Sequence, residues 1–166
     1  EWGSSSGVVF GTDIYTALME TRVLPRILVF DAGDVTAPPR RLDVPTADME
    51  ACRALWNNQL YPINGIRSGD SIFWVAYLWG VLIRLDPATA RMTCCLMTID
   101  GATFGLSYDQ PTLAHFENNI IVADKVSQRQ FVGTWQRETV PWGGTCELVH
   151  KRFFPEGFDV AMSLQQ

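Results

Sequence analysis

Between Val81 and Phe154 short runs of β-prone residues alternate with strong turn signals. That rhythm excludes most folds other than antiparallel ones. Val81–Asp86 and Arg91–Ile99 flank the turn 87–90, the form of a β-hairpin. Asp100-Gly101 is the next hairpin signal and leads into Ala102–Tyr108. Thr112–Glu117 and Ile120–Ala123 read as strands parted by the turn-prone Asn118-Asn119. Gln128–Thr139 alternates, with Phe131, Gly133 and Trp135 on one face. After Pro141-Trp142-Gly143-Gly144, one further strand is expected over Thr145–Phe154 and another over Phe158–Leu164. A βαβ fold needs helices between its strands, and these spacers are too short to hold them. The expected fold is therefore mainly β, a single antiparallel meander or barrel with one or two helices.

The first half carries weaker signals. Thr46 can cap a helix through Gln59 whose Met49, Cys52, Leu55 and Trp56 form one apolar stripe. Asp48 and Glu50 suit the positive end of its dipole. Thr12–Leu24 fits a second helix ending before Pro25 or a strand, with helix the reading preferred; Arg26–Asp31 reads as a strand and Ala32–Pro45 as a surface loop. Residues 1–7, with Gly3-Ser4-Ser5-Ser6-Gly7, read as a linker or tag remnant, and 1–166 as a single domain.

The run Ile72–Leu78 is apolar on both faces: Phe73, Val75 and Tyr77 form one row, and Ile72, Trp74, Ala76 and Leu78 the other. A strand with one wet face is not built this way. Either the strand lies in a two-layer core, or one row lines a barrel interior as a ligand cavity while the other is covered by the Thr46 helix or by a partner subunit.

With 47% apolar and 19% charged residues the chain is globular in composition. Its net charge of −5 is spread along the chain, and no basic cluster offers a footprint for phosphates. Nucleic acid is excluded on that ground. The apolar run ending at Ile83 is too short for a membrane-spanning helix, and Arg84 and Asp86 follow it. Cys52, Cys94, Cys95 and Cys146 match no zinc-module spacing, and neighbours on a strand face opposite ways. They are expected to be four free thiols in a cytoplasmic protein, with a Cys52–Cys146 bridge as the other option.

The chemistry-bearing candidates are few. His115 shares a strand parity with Leu113 and Glu117, a pairing that can make a general base near neutral pH. His150 falls in a row with Cys146, Leu148 and Phe154, and Tyr77 and Tyr108 end apolar rows. The expected catalytic groups are His115, Glu117 and His150, with Tyr77 and Tyr108 against the ligand. No metal and no cofactor is expected. Dinucleotide, triphosphate, serine-hydrolase and zincin motifs are missing from the sequence.

The segment Ile66–Met92 resembles the middle strands of MoaF-type lipocalin-like domains and of bacterial phenolic acid decarboxylases. The shared pattern is an aromatic-rich strand, a turn, an apolar strand ending in Asp, a short turn and another strand. Phe131-Val132-Gly133-Thr134-Trp135 resembles the opening motif of calycin barrels, although it lies far from the start of this chain. The resemblance implies a small antiparallel barrel with an apolar cavity and transfers no catalytic residue.

The expected function is a cofactor-free barrel enzyme, an isomerase, cyclase or lyase, acting on an apolar small molecule. Two alternatives stand beside it: a non-catalytic hydrophobic-ligand carrier, and a structural or assembly subunit of a complex or virion. A homodimer is a further expectation.

Overall fold

The computed structural model describes residues 2–4, 7–20, 26–55, 62–76, 80–103, 112–126, 129–136, 145–147 and 150–154. The first sheet holds β1 (Trp2–Ser4), β2 (Val8–Phe10), β3 (Asp13–Glu20), β4 (Arg26–Asp31) and β5 (Arg40–Leu42). Both β1 and β2 pair with β3, so they act as one broken edge strand, and the rest runs in the order β3-β4-β5. Helix α1 (Thr46–Leu55) leads to the second sheet, ordered β10-β9-β8-β7-β6. Its strands are β6 (Pro62–Ser68), β7 (Ser71–Ala76), β8 (Val81–Asp86), β9 (Arg91–Ile99) and β10 (Ala102–Thr103). The third sheet is β11 (Thr112–Phe116), β12 (Asn119–Val126), β13 (Arg129–Gln136) and β15 (His150–Phe154). Between β13 and β15 the chain leaves that sheet, and β14 (Thr145–Glu147) pairs in parallel with β9.

Mainly β with one helix is thus the architecture. Among the described residues none of the three sheets closes on its own first strand. No described helix is long and apolar enough to cross a membrane.

The first half departs from its expected elements, beginning with Arg40–Leu42, strand β5 within the stretch read as a surface loop. The stretch from Asp13 to Glu20, read as helix, is strand β3. Tyr15 and Ala17 are buried while Ile14 and Thr16 between them are half-buried, the two-residue period of a sheet. Pairing with both β2 and β4 overrides whatever helical spacing the segment shows. Trp2–Ser4, within the supposed linker, pairs with Leu18–Glu20. Helix α1 forms as expected from Thr46 with Met49 and Cys52 buried, but the Pro45 carbonyl accepts from the Asp48 and Met49 amides. Pro45 therefore takes the cap position and Thr46 the first turn. Residues 56–59 lie outside the described ones.

The hairpin over Val81–Ile99 forms in the expected register, Val81 opposite Leu96 and Asp86 opposite Arg91. Asp100 (φ 53°) and Gly101 (φ 76°) make the tight turn that Asp-Gly announces. Phe158–Leu164 and most of Ala102–Tyr108 lie outside the described residues.

Strand β7 shows why its sequence is apolar on both faces. Ile72 and Trp74 face a core shared with the first sheet and α1, which supply Tyr15, Ala17, Ile27, Val29, Met49 and Cys52. Phe73 and Val75 face a second core, shared with Leu113, Ile120 and Val122 of the third sheet. All four of these β7 side chains are fully enclosed. At about 1.5–3 kcal/mol for each large apolar side chain removed from water, this strand stabilises both layers at once. The second sheet is the middle of a three-layer stack.

Gly65 of β6 sits against Val8 of β2, and Arg67 of β6 reaches Phe10 of β2. Both strands therefore advance side by side toward their turns at 11–12 and 69–70. Helix α1 packs against β9 and shares the first core.

Candidate functional site

One end of the first two sheets gathers the turns 11–12, 32–39, 69–70 and 87–90. The loop 32–39 is ordered by its own acids. Asp31 accepts from the Gly33 amide at 2.7 Å, and Asp34 from the Thr36 hydroxyl at 2.6 Å and amide at 3.1 Å. The Thr36 hydroxyl is the main reason the Asp34 carboxyl lies below its ordinary range. Ala32 donates to the Thr12 carbonyl at 2.9 Å, and Arg40 pairs with Asp13 at 3.1 Å, fastening this loop to the first turn. Val9 and Val35, at 59% and 60% exposure, stand on this end as bare apolar groups.

Arg67 lies beside the 69–70 turn of this end. Its guanidinium covers the Phe10 ring, Cζ at 4.3 Å from the centroid, while Nε donates to the Gly69 carbonyl at 3.2 Å. Phe10 is braced in turn by an edge contact with Tyr15 at 6.1 Å. The residue is exposed, so its remaining N–H groups are presented to solvent on a fixed plane. On β8, half-buried Arg84 donates from Nε to the Ser71 hydroxyl at 3.0 Å and lies over Phe73 at 5.7 Å. A fixed, exposed guanidinium is suited to a carboxylate or phosphate taken in bidentate fashion.

Strand β9 carries a second constellation. Cys94 is bonded to Cys52 of α1 and Cys95 to Cys146 of β14, with Cα separations of 5.2 and 5.8 Å. The expected free thiols are therefore replaced by two disulfides, and the Cys52–Cys146 option by a different pairing. The opposite facing of neighbouring side chains is the cause: Cys94 points into the first core and Cys95 into the second.

Each disulfide is accompanied by a carboxylate. Asp48, four residues before Cys52, accepts from Arg91 Nε (2.7 Å) and Nη2 (2.9 Å) and from the Met92 amide (3.0 Å). The Arg91 hydrogen bonds, then the Met92 amide, hold its carboxyl below the usual range against the opposing effect of burial. Glu147, next to Cys146, accepts from the Thr98 hydroxyl, the Asp100 amide (2.5 Å) and the Gly101 amide (3.1 Å). Thr98 is the largest cause of its lowered pKa, and Lys151, bound to Asp100 and 3.5 Å from Glu147, adds to it.

The residues expected to be catalytic fall elsewhere. His115 is exposed near the end of β11, opposite Ile120, and Glu117 is exposed in the following turn with φ 52°. Strand alternation stops at Phe116, so parity no longer relates the two. His150 opens β15 opposite Thr134, in a different sheet from Cys146, so the common row drawn through them does not exist. Tyr77 and Tyr108 lie outside the described residues. Among the described residues no three His, Cys, Asp or Glu side chains group as metal ligands. Reading the sequence by strand parity missed Arg67, because its partner Phe10 comes from a different sheet. The Asp48–Arg91 clamp was missed for the same reason.

No known protein family and no curated protein matches this chain. Among solved structures it is similar to apo AztD from Citrobacter koseri, with a TM-score of 0.51 and 10% identical residues. The match covers 93% of this chain and 48% of AztD, so the chain spans about half the length of that protein. Likeness at that identity concerns the fold alone.

Proposed function

We propose that this protein is a binding and assembly module that recognises an acidic segment of a partner protein through the turn end around Arg67. The observation that carries this reading is the exposed guanidinium held flat on Phe10 and tied to Gly69. Arginine fixed on an aromatic ring is a common make-up of energetic centres in interfaces.

The interior supports the same choice. Phe73, Trp74, Val75, Leu82 and Leu85 occupy the spaces between sheets, where a ligand carrier or barrel enzyme would hold its ligand. Two disulfides favour an oxidising compartment over the cytoplasm.

The test is partner capture by the immobilised protein from extract of its source, quantified by mass spectrometry, with Arg67→Glu compared against wild type. Charge reversal is expected to deplete specific partners at least about tenfold, the loss of one charge-assisted pair, and added salt should mimic it. An unchanged set of partners, with the variant folded by circular dichroism, overturns the proposal. Native mass spectrometry of the same preparation reports a retained apolar ligand or a homodimer, the outcomes that belong to the other two readings.

A further inference from the structure

We infer that the outer faces of the first and third sheets bind each other between two copies of this chain, which close head to tail into a ring of sheets. This pairing does not depend on the Arg67 reading. It repeats, between copies, a contact that the chain already makes between its own sheets.

The three sheets open alike. In each, the first two strands are joined by a two-residue turn: Phe10 pairs with Asp13, Ser68 with Ser71 and Phe116 with Asn119. Counted back from that turn, Phe10, Ser68 and Phe116 are equivalent, and one residue earlier so are Val9, Arg67 and His115. Alternation sends the two sets to opposite faces. The first set lies on the face turned to the next sheet, where Val8 of β2 joins the first core and Ile66 of β6 packs on the second. The second set lies on the face turned to the sheet before. There Arg67 reaches back to Phe10, and Leu113 of β11 joins Phe73 and Val75 in the second core. Strand β6 accordingly contacts both β2 and β11.

At the two ends of this series the contact is half made. Phe116 holds in the third sheet the place that Phe10 holds in the first, yet Phe10 is half-buried and Phe116 is 64% exposed. Val9 holds the place of Arg67 and is also exposed. Around them the outer faces are apolar. Ile14, Leu28 and Phe30 are half-buried on the first sheet, as are Ala114, Ile121 and Val132 on the third. An antiparallel sheet with one face in water carries polar residues there, whereas these faces repeat the two-sided apolar character of β7.

A second copy supplies both missing neighbours at once. Its first sheet lies on the third sheet of this copy, and its third sheet behind the first. Val9 of each copy then meets Phe116 of the other. Contacts between unlike faces either close into a ring or run on as a filament. Four-stranded sheets repeated around an axis close at about four to eight, and two copies bring six, three from each. AztD is about twice as long as the stretch it shares with this chain, the length that two copies supply.

Sedimentation velocity on the whole chain should give a dimer, twice the 18.6 kDa of one copy. Val9→Asp and Phe116→Asp alter exposed positions, where substitution costs little stability. Each should weaken dimerisation at least about tenfold, because the dimer would enclose an unpaired charge. An equal mixture of the two variants should associate more tightly than either alone, since one contact of the mixed pair joins two unaltered faces. A dimer formed by a barrel enzyme or carrier has no need of these faces, so the substitutions also tell the two apart. A monomeric wild type, a dimer that survives either substitution, or a mixture no tighter than its components overturns the inference. Polymers that lengthen with concentration do so as well. Circular dichroism checks that each variant folds, and Val9→Ser or Phe116→Ser replaces one that does not.

Discussion

Gly65 shows how much one missing side chain decides. Strand β6 breaks register with β7 between Ile63 and Ile66, and Asn64 within that bulge has φ 48°. A Cβ on Gly65 would collide with the Trp74 indole and with a methyl group of Val8. The bulge and the glycine together make room for the largest fully buried side chain of the molecule's described part. Gly65→Ala should therefore lower stability by about 1–3 kcal/mol, the usual cost of overpacking, as measured by urea unfolding. A neutral result would show that Trp74 has room to move. Nothing local announces this: the Asn-Gly pair reads as a hairpin turn, and its use as a bulge against an indole becomes visible only with β7 alongside. Arg67 presents the same difficulty. Its sequence neighbours identify a surface arginine, whereas its anchor lies fifty-seven positions away on another sheet.

At the scale of elements, hairpins were legible and layer contacts were not. The β8–β9 hairpin and the Asp100-Gly101 turn follow from local chemistry, and they stand where the residues put them. Strand β3 was hidden because strand pairing with β2 and β4 determines it. Strands β14 and β15 were merged because no strong turn residue parts Glu147 from His150, although they belong to different sheets. Helix α1 illustrates how contacts between elements set a pH response. Asp48 has a folded pKa below its unfolded one, through Arg91 and the Met92 amide. Its contribution is therefore complete above the ordinary carboxylate range and is lost as pH falls through the lowered folded value. Glu147 acts in the same direction for β14. Stability should thus decline with acidification below the ordinary carboxylate range. Asp48→Asn should flatten part of that decline and cost about 1–2 kcal/mol at neutral pH, a modest value because Arg91 is largely in water. Urea midpoints across acid pH check both, and parallel curves for the two proteins would refute the assignment.

For the whole molecule, the decisive arrangement is a middle sheet enclosed on both faces, which the two-faced apolar run of β7 did foreshadow. What the run left open was whether a ligand or a neighbouring sheet would cover each row, because both environments select the same residues. The cysteines left a similar choice, since spacing alone cannot distinguish a thiol from half of a disulfide. Intact mass of the denatured protein should rise by four hydrogens on reduction, and thiol titration before reduction should find none. Each bond closes a loop of sequence separation 42 or 51 and should contribute about 4 kcal/mol through the unfolded chain, less any strain. Two or more thiols in the untreated protein would overturn the paired arrangement.

The adjacency of Cys94 and Cys95 also bears on how the chain reaches its native state. Four cysteines allow three complete pairings, and only one is compatible with β9 as it lies between its two layers. A slip of β9 by one residue would turn each sulfur to the opposite layer, offering Cys94 to Cys146 and Cys95 to Cys52. Oxidation thus records the alignment of the central strand at the moment it occurs. Bonds closed too early would preserve a misaligned strand covalently, so folding in an oxidant needs β9 docked on β8 before its sulfurs are spent, or an isomerase to correct the error.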